Sequence, residues 1–75
     1  MKYLYICGTA NDQKVVESDD LDKLIAMANS DWHCMCDEDR KRTTSMYVLE
    51  SANPDEDAPD HYDGEVMYDL IHGGV

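Results

Sequence analysis

The chain opens on strict alternation. In KYLYIC, residues 2–7, Tyr3, Tyr5 and Cys7 alternate with Leu4 and Ile6, the period of a strand with two unlike faces. GTANDQ, residues 8–13, is made of turn formers, and KVVE, residues 14–17, reads as a returning strand, so the pair predicts a β-hairpin. The period then changes. Leu21, Leu24, Ile25 and Ala28 recur at i, i+3, i+4 and i+7, which predicts a helix over residues 19–30. Ser18 or Asp19 suits its cap, Asp19, Asp20 and Asp22 suit the positive end of its dipole, and Asn29 and Ser30 suit its exit. These acids have a structural task and are not counted towards a site.

Alternation resumes in WHCMC, residues 32–36, where Trp32, Cys34 and Cys36 alternate with His33 and Met35, and predicts a third strand. DEDRKR, residues 37–42, is a fully charged connection. TTSMYVLE, residues 43–50, predicts a strand with Met46 and Val48 on one face and Tyr47 and Leu49 on the other. An acidic loop spans about residues 51–63, where Pro54 and Pro59 remove backbone donors. Asp63 and Gly64 mark a turn, EVMYDLI, residues 65–71, predicts the last strand, and the tail HGGV reads as frayed. The expected fold is therefore α+β in the order ββαβββ, a small antiparallel sheet with one helix packed on one face. Its expected core is Leu4, Ile6, Val16, Leu21, Leu24, Ile25, Ala28, Met46, Val48, Val66 and Tyr68.

Size narrows what such a fold can do. The 75 residues make one domain, 1–75, and a domain this small buries only about 60% of the surface its unfolded chain exposes. It has room for one modest core and little for a deep catalytic cleft. A hydrophobic content of 43% is too high for a disordered acidic tail.

Charge changes the picture most. Seventeen Asp and Glu face six Lys and Arg, a net charge of -11, and every basic residue lies in residues 1–42. Residues 43–75 carry eight acids and no Lys or Arg. Such a chain is a poor ligand for DNA, RNA or an anionic membrane, because phosphate contacts need Lys and Arg. It suits a basic protein partner or a cation. The run has no signal-peptide pattern and no stretch of 18 apolar residues, and its three cysteines are an odd number, so the expectation is a cytoplasmic protein with reduced thiols.

Each candidate chemistry meets a simpler account. HCMC supplies Cys34 and Cys36 one residue apart, whereas zinc sites pair Cys-x₂₋₄-Cys with a second pair of ligands, so two buried thiols are the plainer reading and no metal or other cofactor is assigned. On a strand His33 and Cys34 would point to opposite faces, which separates a thiol from its base. DEDAPDHYDGE offers Asp55 and Asp57, but Ala58 and Pro59 interrupt the calcium-loop pattern, and its sixth position is not glycine. RKR, residues 40–42, follows three acids, so local ion pairs account for it. The tyrosines serve the sheet, and Trp32 reads as a core closer or an interface anchor.

What remains is the acidic loop. A sphere of this mass spans roughly 29 Å, from a radius of gyration of about 11 Å. B-DNA of that length carries about 17 phosphates, and this chain offers 17 carboxylates partly offset by six bases. In length, in net charge, and in the acids of NPDEDAPDHYDGE together with Asp12, Asp37, Glu38 and Asp39, the chain resembles the small acidic proteins of phages and mobile elements. Anti-CRISPR proteins and other DNA-mimic inhibitors are the best-known members. The likeness is one of composition across the whole chain. It implies a non-enzymatic inhibitor that occupies a basic, nucleic-acid-binding surface of a host defence protein. Asp55, Glu56, Asp57, Asp60 and Asp63 are the expected contacts, with Tyr62 as an aromatic anchor. Two alternatives stay open: a small accessory domain, able to pair as a homodimer through a sheet edge, whose acidity serves solubility, and a metal-binding or thiol module.

Overall fold

The computed structural model describes residues 1–9, 11–52 and 63–72. It is an α+β fold: a four-stranded antiparallel sheet with two helices in the order ββααββ. The elements are β1 (Tyr3–Gly8), β2 (Gln13–Ser18), α1 (Leu21–Cys34), α2 (Asp37–Arg42), β3 (Ser45–Ser51) and β4 (Gly64–Asp69). The strands lie in the order β2-β1-β3-β4, so β1 and β3 are central and β2 and β4 are edges.

The first hairpin forms as expected. Tyr3 pairs with Ser18 and Gly8 with Gln13 in an unbroken register. Thr9 and Asp12 exchange two backbone hydrogen bonds, at 2.9 and 3.3 Å, which close the turn. Gly8 sits at φ 145°, a backbone conformation L side chains rarely adopt, and a Cβ there would collide with the Asp12 carbonyl oxygen. Gly8→Ala is therefore expected to cost about 1–3 kcal/mol, read as a lower urea midpoint. An unchanged midpoint would show that the turn relaxes freely.

The stretch 32–36 is a correction. It is not a strand: α1 runs through it to Cys34. Trp32 and Met35 stand four and seven residues beyond Ala28, so they continue the helical stripe of Leu21, Leu24 and Ala28, and all five pack on one cluster. At the other end Asp20, not Ser18 or Asp19, caps the helix, its Oδ1 accepting from the Lys23 N–H at 3.2 Å. The charged connection 37–42 is likewise a helix. Its acids Asp37, Glu38 and Asp39 fill the first turn and Arg40, Lys41 and Arg42 the last, which matches the dipole at both ends. Among the described residues the fold thus has four strands rather than five, and two helices rather than one.

Side chains divide by face. Tyr5, Met46 and Val48 meet Leu24 and Ala28 in the main core, where each is fully buried. Leu4, Ile6 and Leu49 form a second buried cluster with Val15 and Tyr47 against it. Leu4 and Ile6 are buried as expected, but in this second cluster rather than against Leu24 and Ala28 of the helix. Tyr5 takes that face because its hydroxyl has a partner there: it donates to Asp31 Oδ2 at 2.9 Å. Tyr68 does the same, donating to Asn29 Oδ1 at 2.8 Å. Two tyrosines of the sheet thus fix one helix. Val66, expected in the core, is 38% exposed on the edge strand. Strand β4 stops at Asp69, two residues short of the expected end, because the Asp69 carboxylate accepts from the Ile71 and His72 N–H groups and turns the chain.

Candidate functional site: an acidic pole

One register row of the sheet gathers the site. Ser18, Tyr3, Glu50 and Glu65 lie side by side across the four strands. Beyond Ser18 the chain runs through Asp19 and Asp20 into the first turn of α1, which holds Asp22. Beyond Glu50 the Ala52 N–H donates to the Asp63 carbonyl at 2.9 Å, so the chain leaves and re-enters this same end. The end therefore carries Glu17, Asp19, Asp20, Asp22, Glu50, Asp63 and Glu65 against Lys2 and Lys23. The remainder of the described surface carries Asp12, Asp31, Asp37, Glu38, Asp39 and Asp69 against Lys14, Arg40, Lys41 and Arg42. The first group is far from neutral and the second is close to it.

Ion pairs sharpen the contrast. Arg42 reaches Glu38 at 2.8 Å, Arg40 reaches Asp37 at 3.6 Å, and Lys14 lies 3.9 Å from Asp31. At the acidic end Lys2 pairs with Glu17 at 3.2 Å. Among the described residues no lysine or arginine pairs with Glu50, Asp63 or Glu65. Glu50 and Glu65 face one another directly across β3 and β4, an arrangement of like charge that weakens a sheet.

Of the expected contacts, Asp63 lies exposed at this pole. Asp55, Glu56, Asp57, Asp60 and Tyr62 lie outside the described residues. Glu50 and Glu65 were not among the expected contacts, although strands ending in Glu50 and starting at Glu65 would signal the pair once read as neighbours. Asp12, Asp37, Glu38 and Asp39 lie at the opposite end, with the basic residues.

The thiols take other places than expected. Cys34 ends α1, Cys36 caps α2, and both are exposed, while Cys7 is half-buried; all three are free. Among the described residues no group of three or more His, Cys, Asp or Glu side chains could hold a metal ion. Arg40 and Arg42 of RKR behave as expected, paired with acids of their own helix. Trp32 is half-buried in the core and also seats α2: the Arg40 guanidinium lies 5.2 Å from its ring centroid and donates from Nε and Nη2 to its carbonyl at 3.1 and 2.9 Å.

Besides Tyr47, whose phenol is raised by burial and then by the charge of Asp69, two groups have perturbed acidity away from the pole. Burial, then hydrogen bonding with Cys7 and Asp31, pushes the Tyr5 phenol far above its ordinary value. Partial burial works to raise the Asp69 carboxyl, but hydrogen bonds from His72 and Ile71 outweigh it and hold the group below the usual carboxylate value. Both groups tie structure together. No helix among the described residues is long and apolar enough to cross a membrane. Comparison with protein-family models, with curated proteins and with solved structures finds no match to this chain.

Proposed function

We propose that this chain is a non-enzymatic, acidic protein-binding domain whose pole occupies a basic, nucleic-acid-binding surface of another protein. The observation that carries this reading is the Glu50–Glu65 pair. The fold places two carboxylates directly opposite each other, and among the described residues no lysine or arginine forms an ion pair with either, at some expense to its own sheet. A partner rich in Lys and Arg supplies the missing countercharge. Rigid strands hold these acids, so they lose less freedom on binding than acids on a floppy tail. The kind of protein that best fits is an inhibitor of a host defence protein, working where three free thiols stay reduced.

The test separates binding from stability. Glu50→Lys places a lysine opposite Glu65, which is expected to raise stability by about 0.2–1 kcal/mol. The same change should weaken capture of a basic partner from bacterial lysate by roughly tenfold, about 1.4 kcal/mol. High salt should release that partner from the wild type. Asp12→Lys, at the opposite end, should leave capture unchanged. If Glu50→Lys stabilises the protein and every captured partner stays, the acidity serves solubility alone.

A further inference from the structure

The two sheet edges are built differently. Edge β4 carries Glu65 and Asp69, and its register slips between Val48 and Leu49, so one residue bulges out of the ladder. Charge and a bulge are the usual means of keeping an edge from pairing. Edge β2 lacks the bulge, and its two charges are of opposite sign. Its six residues, QKVVES, pair with β1 without a slip, contain no proline, and carry one cation and one anion, Lys14 and Glu17.

Backbone alternation fixes which groups the β2 edge offers. Thr9 and Asp12 form a hydrogen-bonded pair. Counting along the ladder, Cys7–Lys14, Tyr5–Val16 and Tyr3–Ser18 are hydrogen-bonded pairs, and Gly8–Gln13, Ile6–Val15 and Leu4–Glu17 are not. The N–H and C=O groups of Gln13, Val15 and Glu17 therefore point outward, and no described strand pairs with them.

We propose that β2 is the pairing edge for a second copy of this chain, antiparallel about a two-fold axis at Val15. In that register Val15 meets Val15 of the other copy, and each Gln13 meets the other's Glu17. Every outward N–H and C=O of the three residues then finds a partner, with none left over. The Gln13 amide has a hydrogen to donate to the facing Glu17 carboxylate. A shift by one residue would set inward-bonded groups against outward ones and turn the helix-bearing faces to opposite sides. The antiparallel arrangement also sends the two acidic poles to opposite corners of an eight-stranded sheet. That separation favours a second copy over an acidic peptide strand.

This inference stands apart from the proposed function, and salt tells the two apart. Two chains of charge -11 repel, so the dimer should strengthen as the Debye length falls from about 10 Å at 0.1 M to about 3 Å at 1 M. Capture of a basic partner should weaken over the same range. In sedimentation velocity the 8.5 kDa chain should shift to twice its mass with concentration and salt. Val15→Pro removes one outward donor and no bond to β1, because the Val15 N–H faces away from it. That variant should remain folded and monomeric. In the wild type the amides of Gln13, Val15 and Glu17 should gain protection from hydrogen exchange at high protein concentration, while those of Lys14 and Val16 do not change. A monomer at every salt and concentration, or three amides indifferent to concentration, overturns the proposal. So does a folded Val15→Pro variant that dimerises like the wild type.

Discussion

Replacing Leu24 by alanine is expected to remove about 2–5 kcal/mol from a domain whose whole stability is roughly 4–10 kcal/mol. Leu24 and Ala28 are the two fully buried side chains of α1, and Leu24 is the larger. Its neighbours Tyr5, Met46 and Val48 come from β1 and β3, the two central strands. Truncation leaves a cavity at the middle of the helix–sheet contact, and the sheet beneath is held by its own ladders and cannot close it. Urea unfolding followed by far-UV circular dichroism should give a much lower midpoint with an unchanged slope. Ile25 is half-buried, so the same truncation there should cost less. A loss below about 1 kcal/mol at Leu24 would mean that hydrogen bonds rather than packing hold α1 in place.

Stability should also fall steeply above pH 10, and Tyr5 is the main reason. In the unfolded chain its phenol ionises near pH 10, while in the folded protein burial keeps it protonated well beyond that. Above pH 10 the folded state thus binds more protons than the unfolded one. Stability is complete below pH 10 and declines above it, by up to about 1.4 kcal/mol per pH unit for one such tyrosine. Tyr47 adds to the slope, since burial and then the charge of Asp69 raise it too. Denaturant midpoints measured from pH 8 to 12 should trace this decline. Tyr5→Phe should begin lower at pH 8, by about 1 kcal/mol for the lost hydrogen bond to Asp31, and then fall more gently, so the two curves converge. Parallel curves would assign the alkaline loss to other groups.

The strands were legible because alternation is a short-range signal. Tyr3 to Cys7 and Met46 to Leu49 declared two faces each, and the structure keeps both divisions. Which face meets the helix was not legible. It depends on the reach of the Tyr5 hydroxyl to Asp31, 26 residues away in sequence. WHCMC misled because five residues fit a period of two by themselves, and fit the helical stripe only when joined to Leu24 and Ala28. DEDRKR hid a helix because it has no apolar face. Its support is electrostatic order along the axis and one arginine on one indole. For the site, composition announced an anionic C-terminal half but could not say where the acids fall. The Glu50–Glu65 pairing depends on register, which the sequence reveals only once the strands ending at Glu50 and starting at Glu65 are read as neighbours.

The seat of α2 has a spectroscopic consequence. The chain contains a single tryptophan, and that indole is roofed by the guanidinium that anchors the short helix. Its emission is thus a local gauge. It reports whether six residues are docked, and can change while the sheet beneath stays whole.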